Sequence, residues 1–312
     1  MKKITEDVSL SKIMVAKAVF GASRPAFLLL SFGLSILAVS VASTQSVNWP
    51  LALLLMLMAL SAHASVNWLN EYEDFRSGLD SITESTPFSG GSKSLQNYPA
   101  AAVAVKWFGR AAIALVAILA LFIWPHLNPY LIVFGLLGII LVVSYTSLLT
   151  RRPWLCLVSP GLAFGPIMLL GMGWILAGQF SWTAFWLSLT VFFQVNNLLL
   201  LNQFPDRLAD RQVGRYNVLM HLGSARSLQI FKLFLWASFV PVLVVAYLVQ
   251  IPQLLLSMLP ALLLSLLLLH RLRDWSDAME QQQMLPALGL NVALAVSTPL
   301  LLAGGFAINL HF

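Results

Sequence analysis

The sequence predicts an all-α polytopic membrane protein, with nine transmembrane helices in one bundle around a cytoplasm-facing acidic cavity. Three observations carry that prediction. Hydrophobic residues make up 59% of the 312 residues and charged residues only 10%, with a mean hydropathy of +0.84; soluble domains carry roughly 25% charged residues. Nine stretches are apolar over lengths that can cross a hydrocarbon core of about 30 Å. The basic residues fall on alternate loops only, as the positive-inside rule requires.

Taken in order, residues 1–19 read as a cytoplasmic N-terminal segment. Lys2, Lys3, Lys12 and Lys17 are mixed with Glu6 and Asp7, without the small-residue cleavage site of a signal peptide. The spans follow at about 20–43, 49–69, 101–124, 129–150, 153–177, 181–201, 227–249, 251–270 and 285–309. No long polar insertion separates them, so 1–312 reads as a single domain.

Arg24 opens the first span. Arg76, Lys93, Lys106 and Arg110 lie between the second and third spans or just inside the third. Arg151 and Arg152 separate the fourth and fifth, and Arg207, Arg211, Arg215, Arg226 and Lys232 flank the sixth-to-seventh connection. Arg271 and Arg273 precede the ninth. The loops near 44–48, 125–128, 178–180 and 250 carry no Lys or Arg. This places the N-terminus in the cytoplasm and, with an odd number of spans, Phe312 outside. The net charge of +6 and pI near 9.7 therefore belong to membrane topology and do not imply a nucleic-acid partner. Cys156 is the one cysteine, which excludes an intramolecular disulfide.

Charge is concentrated in two places. Five of the twelve acidic residues, Glu71, Glu73, Asp74, Asp80 and Glu84, lie just after the second span. If that helix continues, Asn67, Asn70, Glu71 and Asp74 share one face at i, i+3, i+4 and i+7. Gly78 is a helix stop after which Asp80 can turn back toward that face. Carboxylates so close repel unless a cation joins them, and hard oxygen ligands favour magnesium or calcium. A solvated loop cap is the competing reading of this segment by itself.

The polar stretch 75–100 contains the run from Thr86 through Pro87, Gly90 and Gly91 to Lys93. Its backbone N–H groups suit an anion, and its composition equally suits a flexible linker. The second cluster follows the sixth span, where Asn202, Asp206 and Asp210 recur every four residues. Asn70 and Asp74 have that same spacing. Two such clusters on one side of the membrane can hold Mg²⁺ ions that neutralise a diphosphate.

The paired pattern resembles the UbiA superfamily of intramembrane prenyltransferases over nearly the whole chain. Asn70, Glu71, Asp74 and Asp80 match its first motif, with Glu71 in place of the usual Asp. Asp206 and Asp210 match the second, within Asn-Gln-Phe-Pro-Asp. The Gly78-Leu79-Asp80 ending, with Pro87 to Ser92 after it, is similar to the branch that prenylates 1,4-dihydroxy-2-naphthoate. Gly214-Arg215, Leu222-Gly223, Tyr145-Thr146 and Phe164-Gly165-Pro166 also fall in family-like places. His221 stands where an Arg is common, and the acid that often follows the position of Gly161 is missing.

The resemblance implies Mg²⁺-dependent transfer of an isoprenyl chain from its diphosphate to an aromatic acceptor of quinone-precursor type, 1,4-dihydroxy-2-naphthoate or 4-hydroxybenzoate, in a bacterial cytoplasmic membrane. Asn70, Glu71, Asp74, Asp80, Asn202, Asp206 and Asp210 are the implied metal-binding set. Lys93 and Arg151 would add positive charge at the diphosphate, and Tyr145 an aromatic face near the cation. Arg24 would meet an acceptor carboxylate, and Asn67 and Asn70 the substrate. Membrane lipid surrounds the isoprenyl path. Two other classes compete. An ion-coupled transporter would use acids near the bilayer midplane, whereas these sit at span ends. A structural membrane subunit does not call for two matching Asn/Asp clusters.

Overall fold

A computed structural model describes residues 2–42, 47–84, 86–276 and 279–309, the side chains of 2–10 and 309 excepted. The side chains of Lys2, Lys3, Glu6 and Asp7, residues 44–46 of the first predicted loop, and Phe312 lie outside that description. Among the described residues every regular element is helical.

The first predicted span divides in two. Helix α1 (Lys2–Ala22) ends at Ser23, and α2 (Pro25–Ala42) starts afresh. The break falls at Arg24, whose φ of 51° is left-handed and which precedes a proline, where right-handed helix is disfavoured. The span therefore begins at Pro25, not near residue 20. Helix α3 (Trp49–Ser77) is capped by Asn48, which accepts from Leu51 N–H. It continues past the predicted boundary at 69 to Gly78, whose φ of 78° and N–H to the Phe75 carbonyl close it. Short helices α4 (Leu79–Ile82) and α5 (Ser94–Asn97) follow in the polar stretch.

Next come α6 (Ala102–Phe122), α7 (Pro129–Ser144), and α8 (Pro153–Leu162), which runs through a π-helical segment, Ala163–Leu170, into α9 (Gly171–Ala177). Helix α10 (Trp182–Gln212) extends well beyond its predicted end and carries the second acidic cluster in helical form. After α11 (Val218–Leu222) come α12 (Ser224–Ala237) and α13 (Val240–Leu248), then α14 (Gln253–Ser257), α15 (Leu259–Arg271) and α16 (Gln281–Asn309). Seven helical stretches are long and apolar enough to cross a membrane; Pro129–Ser144 and Leu259–Arg271 are shorter apolar helices.

Helix α10 is the axis on which α8, the π segment, α12, α13 and α16 pack, while α3 packs mainly on α6 and α2. Lipid tails are as apolar as leucine, so close backbone approach takes over from the hydrophobic effect. Gly161 and Gly165 show this. A Cβ at Gly161 would lie 2.4 Å from the Phe192 carbonyl oxygen, and one at Gly165 would lie 2.3 Å from that of Ser188. Gly161 N–H also donates to Asn196 Oδ1 at 2.7 Å. The glycines near Phe164 thus serve contact with α10. Exposed Trp49, Trp124, Tyr130, Trp182 and Tyr247 mark the helix ends opposite the acidic clusters, the distribution of an interfacial aromatic belt.

Candidate active site

The ends of α3 and α10 converge on a polar chamber of about 120 Å³. Because α10 stays helical, Asn202, Asp206 and Asp210 form one stripe on the chamber wall. Asn70, Asp74 and Asp80 face them from α3 and α4. The 86–94 segment roofs the space. Thr86 Oγ1 accepts from Phe88 and Ser89 N–H at 3.1 and 2.8 Å, a self-closed turn that aims the next residues inward. Gly90 N–H then donates to Asp206 Oδ2 at 3.3 Å, and Asn202 Nδ2 donates to the Phe88 carbonyl at 3.0 Å. Gly91 must be glycine for two reasons: its φ is 77°, and a Cβ would lie 2.6 Å from Asp80 Oδ1.

Arg215 is the charge between the clusters. Its guanidinium pairs with Asp74 and reaches Asp210 Oδ1 at 3.1 Å. Burial opposes its positive charge, and Asp74 and Asp210 more than offset that, so the Arg215 pKa is raised above its ordinary value. Asp80 is 2% exposed. Burial first, then Glu71 and Asp74, pushes its carboxyl up to about 7 against the opposing Lys93 and Arg24.

Three of the expected site residues are turned elsewhere. Glu71 is fully buried and accepts from Ser92 N–H, Ser92 Oγ–H and Ser94 N–H at 3.1, 2.6 and 3.1 Å, with Arg24 at 3.9 Å. Its oxygens anchor the loop and do not line the chamber, contrary to a metal-ligand role. Lys93 sends Nζ to the carbonyls of Asp80 and Thr83; it closes the loop and does not line the chamber. Arg151 is exposed and outside the chamber.

The others converge. Asn70 Oδ1 accepts from Thr146 Oγ1 at 3.0 Å, and Tyr145 stands beside it on the chamber wall. Asn67 donates to the Ser23 carbonyl at 2.8 Å and so holds the α1–α2 turn that presents Arg24. Asp80 Oδ2, Asn202 Oδ1 and Asp206 Oδ1 are buried without a hydrogen-bond partner in the structure. Such orphaned hard oxygens on facing walls of one chamber fit a divalent cation. Among the described residues no group of three or more His, Cys, Asp or Glu side chains is placed to hold a metal ion by itself. Mg²⁺ keeps waters and shares its coordination with substrate phosphates, so it does not need a complete protein cage.

Beneath the chamber is an apolar cavity of about 510 Å³, walled by α2, α3, α6, α7, the π segment and α10. Arg24, Asn70, Phe88, Tyr145, Leu199 and Asn202 line both spaces and form the neck between them. A ligand with an anionic head and a hydrocarbon tail matches that shape.

The sequence profile of the family described as "UbiA prenyltransferase family" matches residues 29–292. The chain belongs to that family. It is an enzyme of the prenyltransferase class, and the ion-coupled transporter reading is not favoured. Among solved structures, a UbiA homolog from Archaeoglobus fulgidus bound to GPP and Mg²⁺ superposes with a TM-score of 0.65 at 14% identity, covering 92% of this chain and 99% of its own. The same homolog bound to DMAPP and Mg²⁺ gives 0.63 at 14% identity, covering 92% and 99%. A structure of digeranylgeranylglyceryl phosphate synthase gives 0.63 at 16% identity, covering 94% and 98%. No curated protein matches the sequence. At these identities the structural likeness shows a shared UbiA fold.

Sequence reasoning missed the roles of Arg215, Thr146 and the serines 92 and 94. Arg215 carried a signal, a basic residue one position after a glycine turn and five after Asp210, but it reads equally as a topogenic loop charge. Thr146 and Ser92 carried only their place in family-like segments and Ser94 carried no signal, because neutral hydroxyls are common in any polar loop.

Proposed function

We propose that this UbiA-family protein transfers an isoprenyl chain from its diphosphate to an aromatic acceptor of quinone-precursor type, in a Mg²⁺-dependent reaction. The neck carries the reading: six residues join a small acidic chamber to a long apolar cavity, dividing space as a diphosphate and an isoprenyl tail divide. Asp74, Asp80, Asn202, Asp206 and Asp210, with Asn70, are the oxygen donors that would hold Mg²⁺. When bound, the ion would screen the diphosphate and stabilise its departure. Glu71 supports this set by anchoring the loop, and Lys93 does so by clamping the loop's carbonyls.

The chain's own groups complete the chemistry. Gly90 N–H, held by Asp206 Oδ2, keeps the roof over the place where the diphosphate would leave, and the Arg24 guanidinium at the neck adds positive potential between the two spaces. Tyr145, at the neck, offers an aromatic face to the allylic cation. The apolar walls exclude water, so the cation meets the acceptor before it meets hydroxide. Arg24 Nε is buried without a partner, which supports its pairing with an acidic substituent on the acceptor. The Gly78-Leu79-Asp80 and Gly90-Gly91 features favour 1,4-dihydroxy-2-naphthoate over 4-hydroxybenzoate.

The topology that goes with this function is nine spans, the two shorter apolar helices included, with a cytoplasmic N-terminus and the acidic chamber facing the cytoplasm of a bacterial cell. Purified protein incubated with geranyl diphosphate, Mg²⁺ and each of the two acceptors, followed by product mass measurement, tests it. A prenylated aromatic product is expected, and absence of both product and released diphosphate would overturn the reading.

A further inference from the structure

Histidine 63 stands apart from the acidic chemistry. It lies on α3, four and seven residues before Asn67 and Asn70, and so shares their face about 10 Å deeper along the helix. It lines the apolar cavity and is 7% exposed. Ser31, fully buried on α2 behind it, lies 2.8 Å from its Nδ1. Ser31 is seven residues beyond Arg24, so both elements reach the same depth below the neck. Phe164 packs its ring edge-on at 4.8 Å and fixes the plane of the imidazole.

The hydrogen bonding is asymmetric. His63 is the one side-chain partner of the Ser31 hydroxyl among the described residues, and either atom of that 2.8 Å contact can be the donor; with the Ser31 hydroxyl donating to Nδ1, the ring proton sits on Nε2. That nitrogen makes no hydrogen bond among the described residues. Ser159, a neighbouring polar side chain on the wall, donates back to the Leu155 carbonyl at 2.5 Å. In that tautomer an N–H donor stands in a cavity wall rich in Leu, Ile, Val and Phe, where a polar group gains from a ligand partner.

We infer that His63 Nε2–H, oriented by Ser31, is a hydrogen-bond donor to an oxygen of the prenyl acceptor, a hydroxyl or phenolate on the side of the ring away from the neck. The inference rests on the proposed transfer reaction and deepens it. The isoprenyl donor cannot be the partner: its oxygens belong to the acidic chamber, and the part that enters the cavity is hydrocarbon. The acceptor is the substrate that must bring polar atoms past the neck, because its ring has to reach the allylic carbon there. Arg24 at the neck and His63 below it would grip opposite ends of one aromatic molecule. His63 is thus a specificity residue, and Ser31 is a positioning residue that acts through it.

The test measures steady-state kinetics with geranyl diphosphate and Mg²⁺ against hydroxylated acceptors, 1,4-dihydroxy-2-naphthoate and 4-hydroxybenzoate. It also measures acceptor-independent release of diphosphate and the thermal midpoint of each variant. His63→Leu is expected to raise the acceptor KM at least tenfold while the geranyl diphosphate KM and diphosphate release stay within twofold. His63→Gln, which restores a side-chain N–H, should recover the acceptor KM to within about threefold of wild type. Ser31→Ala should give an intermediate value. Equal changes in both KM values, no change in either, or failure of Gln to rescue with a lowered thermal midpoint would reduce the pair to a strut between α2 and α3. Wild-type protein that releases diphosphate but prenylates neither hydroxylated acceptor would overturn this inference alone. Loss of diphosphate release as well would overturn the transfer reaction beneath it.

Discussion

The two acidic clusters have the same sequence spacing and different surroundings. Asn70 and Asp74 on α3 correspond to Asn202 and Asp206 on α10, yet Asp74 is paired with Arg215, while Asp206 has a single backbone N–H and one orphaned oxygen. Asn70 is engaged by Thr146 through its oxygen; Asn202 uses its NH₂ on the Phe88 carbonyl and leaves its oxygen without a partner. At these matched positions Asn70 and Asp74 are braced and neutralised, and Asn202 and Asp206 are left open to a cation, while Arg215 also reaches Asp210 one turn further along α10. A spacing specifies which face a carboxylate is on. Its charge state and remaining valence come from the partners that the fold brings to it.

The largest expected effect tests whether this division still serves one shared site. Asp74→Asn and Asp206→Asn should each lower turnover by at least about a hundredfold, the scale of lost electrostatic stabilisation. The double variant should be little worse than either single one, because groups acting as a unit are not additive. Multiplicative losses, or full activity in EDTA, would separate the clusters into independent sites.

Arg215 is where the comparison can be inverted. Arg215→Gln leaves Asp74 and Asp210 without their counter-ion, a change that costs about 3 kcal/mol at a buried pair and should appear as a lower thermal midpoint. Adding Asp74→Asn should restore much of that midpoint without restoring turnover. If the midpoint is unmoved by Arg215→Gln, the two clusters are not held together through this residue.

The roof should respond more mildly. Glu71→Gln weakens three hydrogen bonds to the 92–94 backbone and side chains, and Lys93→Ala frees two carbonyls. Each is expected to raise the isoprenyl diphosphate KM roughly tenfold, equivalent to about 1.5 kcal/mol of charge-assisted hydrogen bonding. Limited proteolysis within 84–94 should accelerate in both. Unchanged KM with faster cleavage would show that loop order is unconnected to substrate binding.

The smallest effect concerns pH. Burial and its acidic neighbours raise Asp80 to about 7, so protons compete with a cation there. Apparent Mg²⁺ affinity should increase a few-fold, about the range of one partly titrating ligand, as pH rises through 7. Asp80→Asn should flatten the profile. The stability contribution runs the other way: a carboxyl raised in the folded state stabilises at low pH and loses that contribution as pH climbs from about 4 toward 7. A Mg²⁺ titration that is pH-independent in wild type would remove Asp80 from the metal set.

Much was legible in one dimension because it depends on local composition. Mean hydropathy and helical periodicity determined the membrane class, the approximate positions of the apolar helices, the stop at Gly78 and the helical stripe of Asn202, Asp206 and Asp210, whereas Glu71, counted with the first stripe, turns to the loop. Segregated Lys and Arg implied a topology for the same reason, since each loop is counted by itself. Only the tertiary structure decided the valence of those stripes. Arg215 lies 141 residues from Asp74, and no pattern of spacing says which loop cation crosses that gap. Glu71 and Lys93 look available in sequence, but the loop they border folds back and satisfies its own backbone with them, as buried N–H and C=O groups must be satisfied somewhere. His63 and Ser31 read as ordinary residues of two spans. Their pairing exists because α2 and α3 pack side by side at one depth.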